Sequence, residues 1–276
     1  MPLAPRLLAH LDDIRLWQMP PARMKALPPP CTLHDPHTQW LLVPRDGRIN
    51  VPEEGLESDT TPLLLGPTGS QVVALEGAAI ALEVPSYRLA VSPLTGGQHR
   101  LLEHEQGHLV QALLEELTLR IERISPESQR YIAQAISDLL YCPAPALGET
   151  GECSLLAEAD TLMRRRLAEH TLRAEDIAQA MGMSRAGLYR VLTPCGGFKT
   201  CLHALRLDRV AQLLRNPQQD RKAIKGLLFH NGFSSTEQFQ RLFRQRFGVA
   251  ARAFRKGALS PLLGDWRFEA LPGNLS

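Results

Sequence analysis

Two glycines fifty residues apart, Gly182 and Gly232, sit in the same local pattern. In the first copy Glu175–Ser184 supplies a short helix, a turn glycine and a serine able to cap the next helix. Arg185–Leu192 supplies that next helix, with Leu188, Val191 and Leu192 on one face and Arg185, Ala186, Tyr189 and Arg190 on the other. In the second copy Ile224–Ser235 and then Thr236–Phe243 repeat the arrangement with one extra turn residue, so Leu188, Arg190 and Leu192 correspond to Phe239, Arg241 and Phe243. Between the copies, Leu205, Leu207, Val210, Leu213 and Leu214 mark a connecting helix over His203–Leu214. A duplicated helix, glycine turn and helix restricts this half of the chain to an all-α domain of two helix-turn-helix units.

Charge divides the chain into unlike parts. Residues 161–260 hold 15 Arg and 4 Lys against six acidic residues, a balance of +13, whereas the whole chain carries +2. The rest must then carry −11. A basic helical module joined to an acidic one is the footprint of a nucleic-acid binder with a separate regulatory part. The second helix of such a unit lies in the major groove, which makes the exposed polar faces candidates for reading bases.

The stretch Asn231–Val249, with Phe239-Gln240-Arg241-Leu242-Phe243 and then Phe247-Gly248, resembles the second unit of the AraC/XylS family of transcription regulators. Leu205-Arg206-Leu207 matches the start of that family's connecting helix, and the resemblance runs from about Leu155 to Lys256, a little over a third of the chain. It implies a domain at 153–257 that binds double-stranded DNA. Ala186, Tyr189 and Arg190 would face the groove in the first unit, and Thr236, Glu237, Gln240 and Arg241 in the second, with Ser235 beside them. Arginine suits a guanine edge, Glu237 a cytosine amino group and Gln240 an adenine. Arg185, Lys199, Arg244 and Arg246 are then phosphate anchors. The chain departs from the family at Leu228, where a small residue is usual, and at Ala250–Arg255, which keeps only an aromatic and an arginine of the usual motif. Gly187 in mid-helix costs about 1 kcal/mol relative to alanine, and Pro194 ends its helix early. The first unit is therefore expected to be the weaker reader.

From Thr32 to Val91, short apolar runs (Gln39–Val43, Arg48–Val51, Leu63–Leu65, Gln71–Leu75, Ala78–Val84) predict a small barrel or sandwich, although none alternates cleanly. Residues 1–30 read as an irregular lead-in with a short helix near Leu7–Trp17. Two helical stripes follow: Leu102, Leu109, Val110, Leu113, Leu114, Leu117, and after Ser125-Pro126, Ile132, Ala135, Ile136, Leu139, Leu140. They cap the strand core or form a dimer seam. Trp40 and Tyr87 read as core residues that could also line a pocket. The expected fold class is α+β. A cupin-like domain at 1–141, strand-rich over about 32–91 and helical over about 100–141, leads through a linker at 142–152 to the all-α domain at 153–257 and a tail at 258–276. The looser resemblance of the first part to the family's sensing and dimerising domain implies a homodimer and a small-molecule effector. The family also implies RNA polymerase as a partner, and activation more often than repression.

No apolar run reaches the roughly 18–20 residues needed to span a bilayer, and the first residues do not read as a secretory leader, so a cytoplasmic, non-membrane protein is expected. Cys31, Cys142, Cys153, Cys195 and Cys201 form no C-x-x-C pair and are expected as reduced thiols. His34 and His37 invite a metal reading, but no further His or Glu joins them in a strand, and His99, His104 and His108 fall on the next helix. Neither metal nor cofactor is expected. The absence of a glycine-rich phosphate loop and of G-x-S-x-G argues against an enzyme. The alternatives are a regulator controlled by its amount or by a protein partner, and a cupin-type metalloenzyme fused to a DNA anchor. Metal analysis of the purified protein separates the last from the others.

Overall fold

In a computed structural model of the chain, the structure describes residues 5–26, 38–52, 55–65, 72–89, 100–102, 104–140, 151–257 and 266–270. It opens with β1 (Arg6–Leu11), β2 (Ile14–Met19) and β3 (Ala22–Ala26). There follow β4 (Thr38–Asp46), β5 (Ile49–Val51), β6 (Leu56–Ser58), β7 (Leu63–Leu65), β8 (Val72–Leu75), β9 (Ala78–Pro85) and β10 (Arg100–Leu101). Helices α1 (His104–Arg120) and α2 (Pro126–Leu140) complete this part, and a last strand, β11 (Trp266–Ala270), returns to it from the end of the chain.

The strands pair antiparallel in two sheets, β1-β2-β9-β4-β7-β10 and β11-β3-β8-β5-β6. Met19, Trp40, Leu42, Ile49, Val51, Leu65, Val73 and Leu75 fill the space between them. The other face of the six-stranded sheet, carrying Leu16, Leu41, Val43, Ile80 and Leu82, packs on Val110, Leu114 and Leu117 of α1 and Ala133, Ile136 and Leu140 of α2. With apolar layers on both sides, β4 is buried from Thr38 to Pro44. A strand covered on both faces has no polar side to alternate with, which is why these runs show no clean period of two.

Three readings of this region are corrected. Residues 6–26 are strands, not a lead-in with a helix. Pro20 and Pro21 lie between β2 and β3 and bound the strands instead of breaking them, and Asp12 makes the hairpin turn at φ 57°, a conformation Asp tolerates. The segment taken as a tail contributes β11, paired with β3 from Trp266↔Ala26 to Ala270↔Ala22. Leu109 and Ala135, placed in the buried stripes, face outward. Cys31, His34, His37, His99, Cys142 and most of the expected linker lie outside the described residues.

The C-terminal part is helical: α3 (Gly151–Arg165), α4 (Ala174–Ala180), α5 (Arg185–Val191), α6 (Phe198–Arg215), α7 (Ile224–His230), α8 (Thr236–Phe247) and α9 (Ala251–Arg255). Two cores share one helix. Phe198, Cys201, Leu202 and Leu205 from the first half of α6 pack with Met163, Ile177, Leu188 and Leu192. Leu207, Val210, Ala211 and Leu214 from its second half pack with Leu228, Phe233, Phe239, Phe243 and Phe254. Both thiols on this helix or beside it, Cys195 and Cys201, are buried. The fold is α+β, a strand-rich part with its helices followed by a helical domain.

The two parts meet at a buried ion cluster. Asp12 and Asp13, at the tip of the β1–β2 hairpin, face Arg88 from the turn after β9 and Arg215 from the end of α6. Arg88 Nη2 lies 2.5 Å from Asp12, Arg215 Nη1 donates to Asp12 at 2.9 Å, and Arg88 Nε and the Tyr87 hydroxyl both donate to Asp13. The Tyr87 ring stands edge-on to Phe247 at 5.6 Å and so completes the core of the second unit. Gln212 donates to the Tyr87 carbonyl at 2.5 Å, and Arg130 of α2 grips Asp220 through bonds of 2.7 and 2.9 Å.

Candidate nucleic-acid interface

The two turns are built alike down to a single hydrogen bond. The Met183 N–H donates to Ala178 O at 2.9 Å, and the Phe233 N–H to Leu228 O at 3.1 Å. Gly182 and Gly232 turn the chain at φ 65° and 84°, the left-handed region that costs glycine nothing. Ser184 and Ser235 then cap α5 and α8, accepting from the Gly187 N–H at 3.1 Å and the Gln238 N–H at 3.2 Å. The extra residue of the second copy is Ser234, between the turn and the cap. Gly187 is therefore the third residue of α5 and takes the capping bond, instead of lying in mid-helix as expected.

Leu188 is buried beneath α5, leaving Arg185, Ala186, Tyr189 and Arg190 exposed. Arg185 lies 2.9 Å from Glu175 and its guanidinium stands 5.5 Å over the Tyr189 ring, so Arg185 and Tyr189 form a single surface. α5 ends at Val191, and a 3-10 turn over Thr193–Cys195 carries the chain to α6. Lys199 is exposed on the first turn of α6.

On α8, Phe239 and Phe243 point inward while Glu237, Gln240, Arg241 and Arg244 are exposed and Thr236 is half-buried. Gln240, Arg241, Arg244 and Gln245 border one surface groove. The Ser235 hydroxyl donates to Glu237 at 2.8 Å as well as capping the helix. The Glu237 carboxyl is held below its usual range by its own backbone N–H and then by Ser235.

Arg246 is a correction. It is buried, donating to Asp208 of α6 at 2.7 and 2.9 Å, so it ties α8 to α6 and does not anchor phosphate. Spacing explains the misreading: residues 239, 243, 246 and 247 form the buried face of α8, and Arg246 lies on it despite its charge. Leu228, the departure from the family pattern, is buried at the contact between α7 and α8.

Sequence reasoning missed Arg206. It donates from Nε to Leu167 O at 2.9 Å and from Nη2 to Glu169 O at 2.6 Å, tying the first unit to the middle of α6. A Cβ on Gly232 would come within 2.2 Å of Leu167 O and 2.5 Å of Arg206 Nε. The second turn glycine thus serves close approach of the two units as well as its own φ, whereas nothing lies within 4 Å of a Cβ on Gly182. The ion cluster at Asp12, Asp13, Arg88 and Arg215 was missed too. Among the described residues no group of three or more His, Cys, Asp and Glu side chains could hold a metal, and no helix is long and apolar enough to cross a membrane.

The helix-turn-helix domain family matches residues 163–257. Among solved structures the chain is similar to the AraC-like transcriptional activator CuxR, at 19% identity over 72% of this chain and 77% of that one, TM-score 0.43. It is also similar to ToxT from Vibrio cholerae O395, at 16% identity over 92% and 98%, TM-score 0.41. The C-terminal domain of AraT, a response regulator from Geobacillus stearothermophilus, is matched at 18% identity over 42% and 95%, TM-score 0.35. Residues 163–257 are an AraC-type helix-turn-helix domain.

Proposed function

We propose that the protein is a sequence-specific transcription activator that acts as a cytoplasmic homodimer, engages RNA polymerase and answers to a small-molecule effector. The observation that carries the DNA reading is the pair of serine-capped helices α5 and α8, held with exposed polar faces by the two halves of α6 in a stretch of +13. Ala186, Tyr189 and Arg190, with Thr236, Glu237, Gln240 and Arg241, are the base-reading set. Arg185, Lys199 and Arg244 anchor phosphates. The reading of an effector rests on the acidic strand-rich part and on its buried join to the second unit, through which a change in one part would be felt by the other.

The test is a fluorescence titration of the full chain on a duplex selected from a random pool. Six to ten phosphate contacts make affinity fall by roughly 10³–10⁵ between 50 and 200 mM salt. Salt-independent binding, or none at low salt, would remove the DNA assignment.

The dimer reading rests on apolar side chains left outside on the two helices: Leu109 is 58% and Leu119 76% exposed on α1, and Tyr131 54% on α2. The expected result is that L109K/L119K shifts the full chain from dimer to monomer at micromolar concentration in sedimentation, with melting unchanged. An undiminished dimer places the seam elsewhere. The full chain is needed because a fragment ending near residue 150 would lack β11 and leave β3 as an open edge.

A further inference from the structure

A cleft of about 340 Å³ lies between the two units, with α5 on one side and α8 on the other: Tyr189 and Gln238 both line it. Its walls carry Arg173, Arg185, Lys199 and Arg206 against one carboxylate, Glu175, and that carboxylate is already paired with Arg185. His203, also in the wall, has its imidazole held below the usual range by burial and then by Arg206, Lys199 and Arg241, which marks the field here as positive.

Arg206 is the distinctive group. Four arginines are buried among the described residues: Arg88, Arg206, Arg215 and Arg246. Three of them meet carboxylates. Arg206, only 5% exposed, meets two backbone carbonyls, and no carboxylate among the described residues lies in ion-pair range. A buried cation without a counter-charge is costly to hold, and this one opens on a cationic cleft. The arrangement calls for an anion from outside.

DNA geometry says which anion comes. Two helices that enter successive major-groove segments from one side are separated by the intervening minor groove, and what passes between them is sugar-phosphate backbone. We propose that this cleft is a phosphate seat, in which Arg206 and Lys199 take the DNA strand crossing between the two major-groove segments. The seat fixes the spacing of the two reading helices on the duplex and gives Arg206 the counter-charge that the fold withholds. The inference rests on the DNA-binding reading above.

The test uses the full chain and its selected duplex, remade as a series with one uncharged methylphosphonate at each successive position. Neutralising one central phosphate, between the two contacted major-groove segments, is expected to weaken wild-type binding about tenfold, as loss of a charge-assisted bond should. Lys199→Gln and Arg206→Gln should bind the unmodified duplex about tenfold more weakly and should lose sensitivity to that central substitution. Arg206→Lys, which keeps the charge, should retain it. Lys199 is exposed, so Lys199→Gln decides the matter even if Arg206→Gln disturbs folding. Tight, salt-dependent binding with no sensitive central phosphate, or a Lys199→Gln protein that stays fully sensitive, overturns the phosphate seat and leaves the DNA reading standing. Failure of the wild-type chain to bind any duplex overturns both.

Discussion

Arg215→Ala is expected to destabilise the protein by about 3–5 kcal/mol, the usual consequence of removing one partner from a buried ion pair. The guanidinium is buried among Asp12, Asp13 and the Phe254 ring, 4.3 Å from the ring centroid. Without it two adjacent carboxylates remain out of water with Arg88 as their direct ion-pair partner. Asp12 is already pushed up from the ordinary carboxylate range, first by burial and then by Asp13, with Arg215 and Arg88 opposing, so loss of Arg215 removes a leading opposing charge. Chemical denaturation should show the second unit and the strand-rich part loosening together, because the cluster and Tyr87 join them. The exposed pair Arg48–Glu57 provides the control, since breaking it should cost less than about 1 kcal/mol. A loss near that of the control would mean that the cluster does not hold the two parts together.

Arg241→Ala is expected to weaken binding to the preferred duplex by about 1–3 kcal/mol and to relax base preference at one position, as loss of a two-bond contact to guanine does. Arg241 is exposed beside Gln240 and Arg244, so the loss should leave the melting curve where it was. Arg190→Ala should act in the same way but less strongly. α5 has seven residues against twelve in α8, and it presents Ala186 where the second unit presents Glu237. Arg244→Ala should weaken all sequences alike. A larger loss from Arg190→Ala than from Arg241→Ala in folded protein would make the first unit the main reader.

The repeat was legible because its signals are local. A glycine at each turn, a serine at each cap and apolar residues at helical spacing are all decided within a dozen residues, and the structure places them as the pattern requires. Arg246 could have been read from its place on the Phe239–Phe243 face, had spacing been weighed above charge. Other features depend on partners far away in the chain. Asp12 and Arg215 are 203 residues apart, and β11 finds β3 across nearly the whole chain. Pairing of that kind leaves no periodicity to read. The β1–β2 hairpin lies between, since Ile14-Arg15-Leu16 alternates in burial but is set among prolines that drew the reading towards irregular structure. Arg206 looked like an ordinary helix residue because its partners are backbone carbonyls, which carry no side-chain signature.

The central claim is that both units read the same duplex at once, and guanine methylation interference on the selected site tests it most directly. N7 methylation blocks contacts in the major groove only. Two windows of interference, centred about 10 bp apart on one face of the helix, are the expected result, the stronger one disappearing when Arg241→Ala is used. A single window with the wild-type chain, or two windows that ignore Arg241→Ala, would contradict the account.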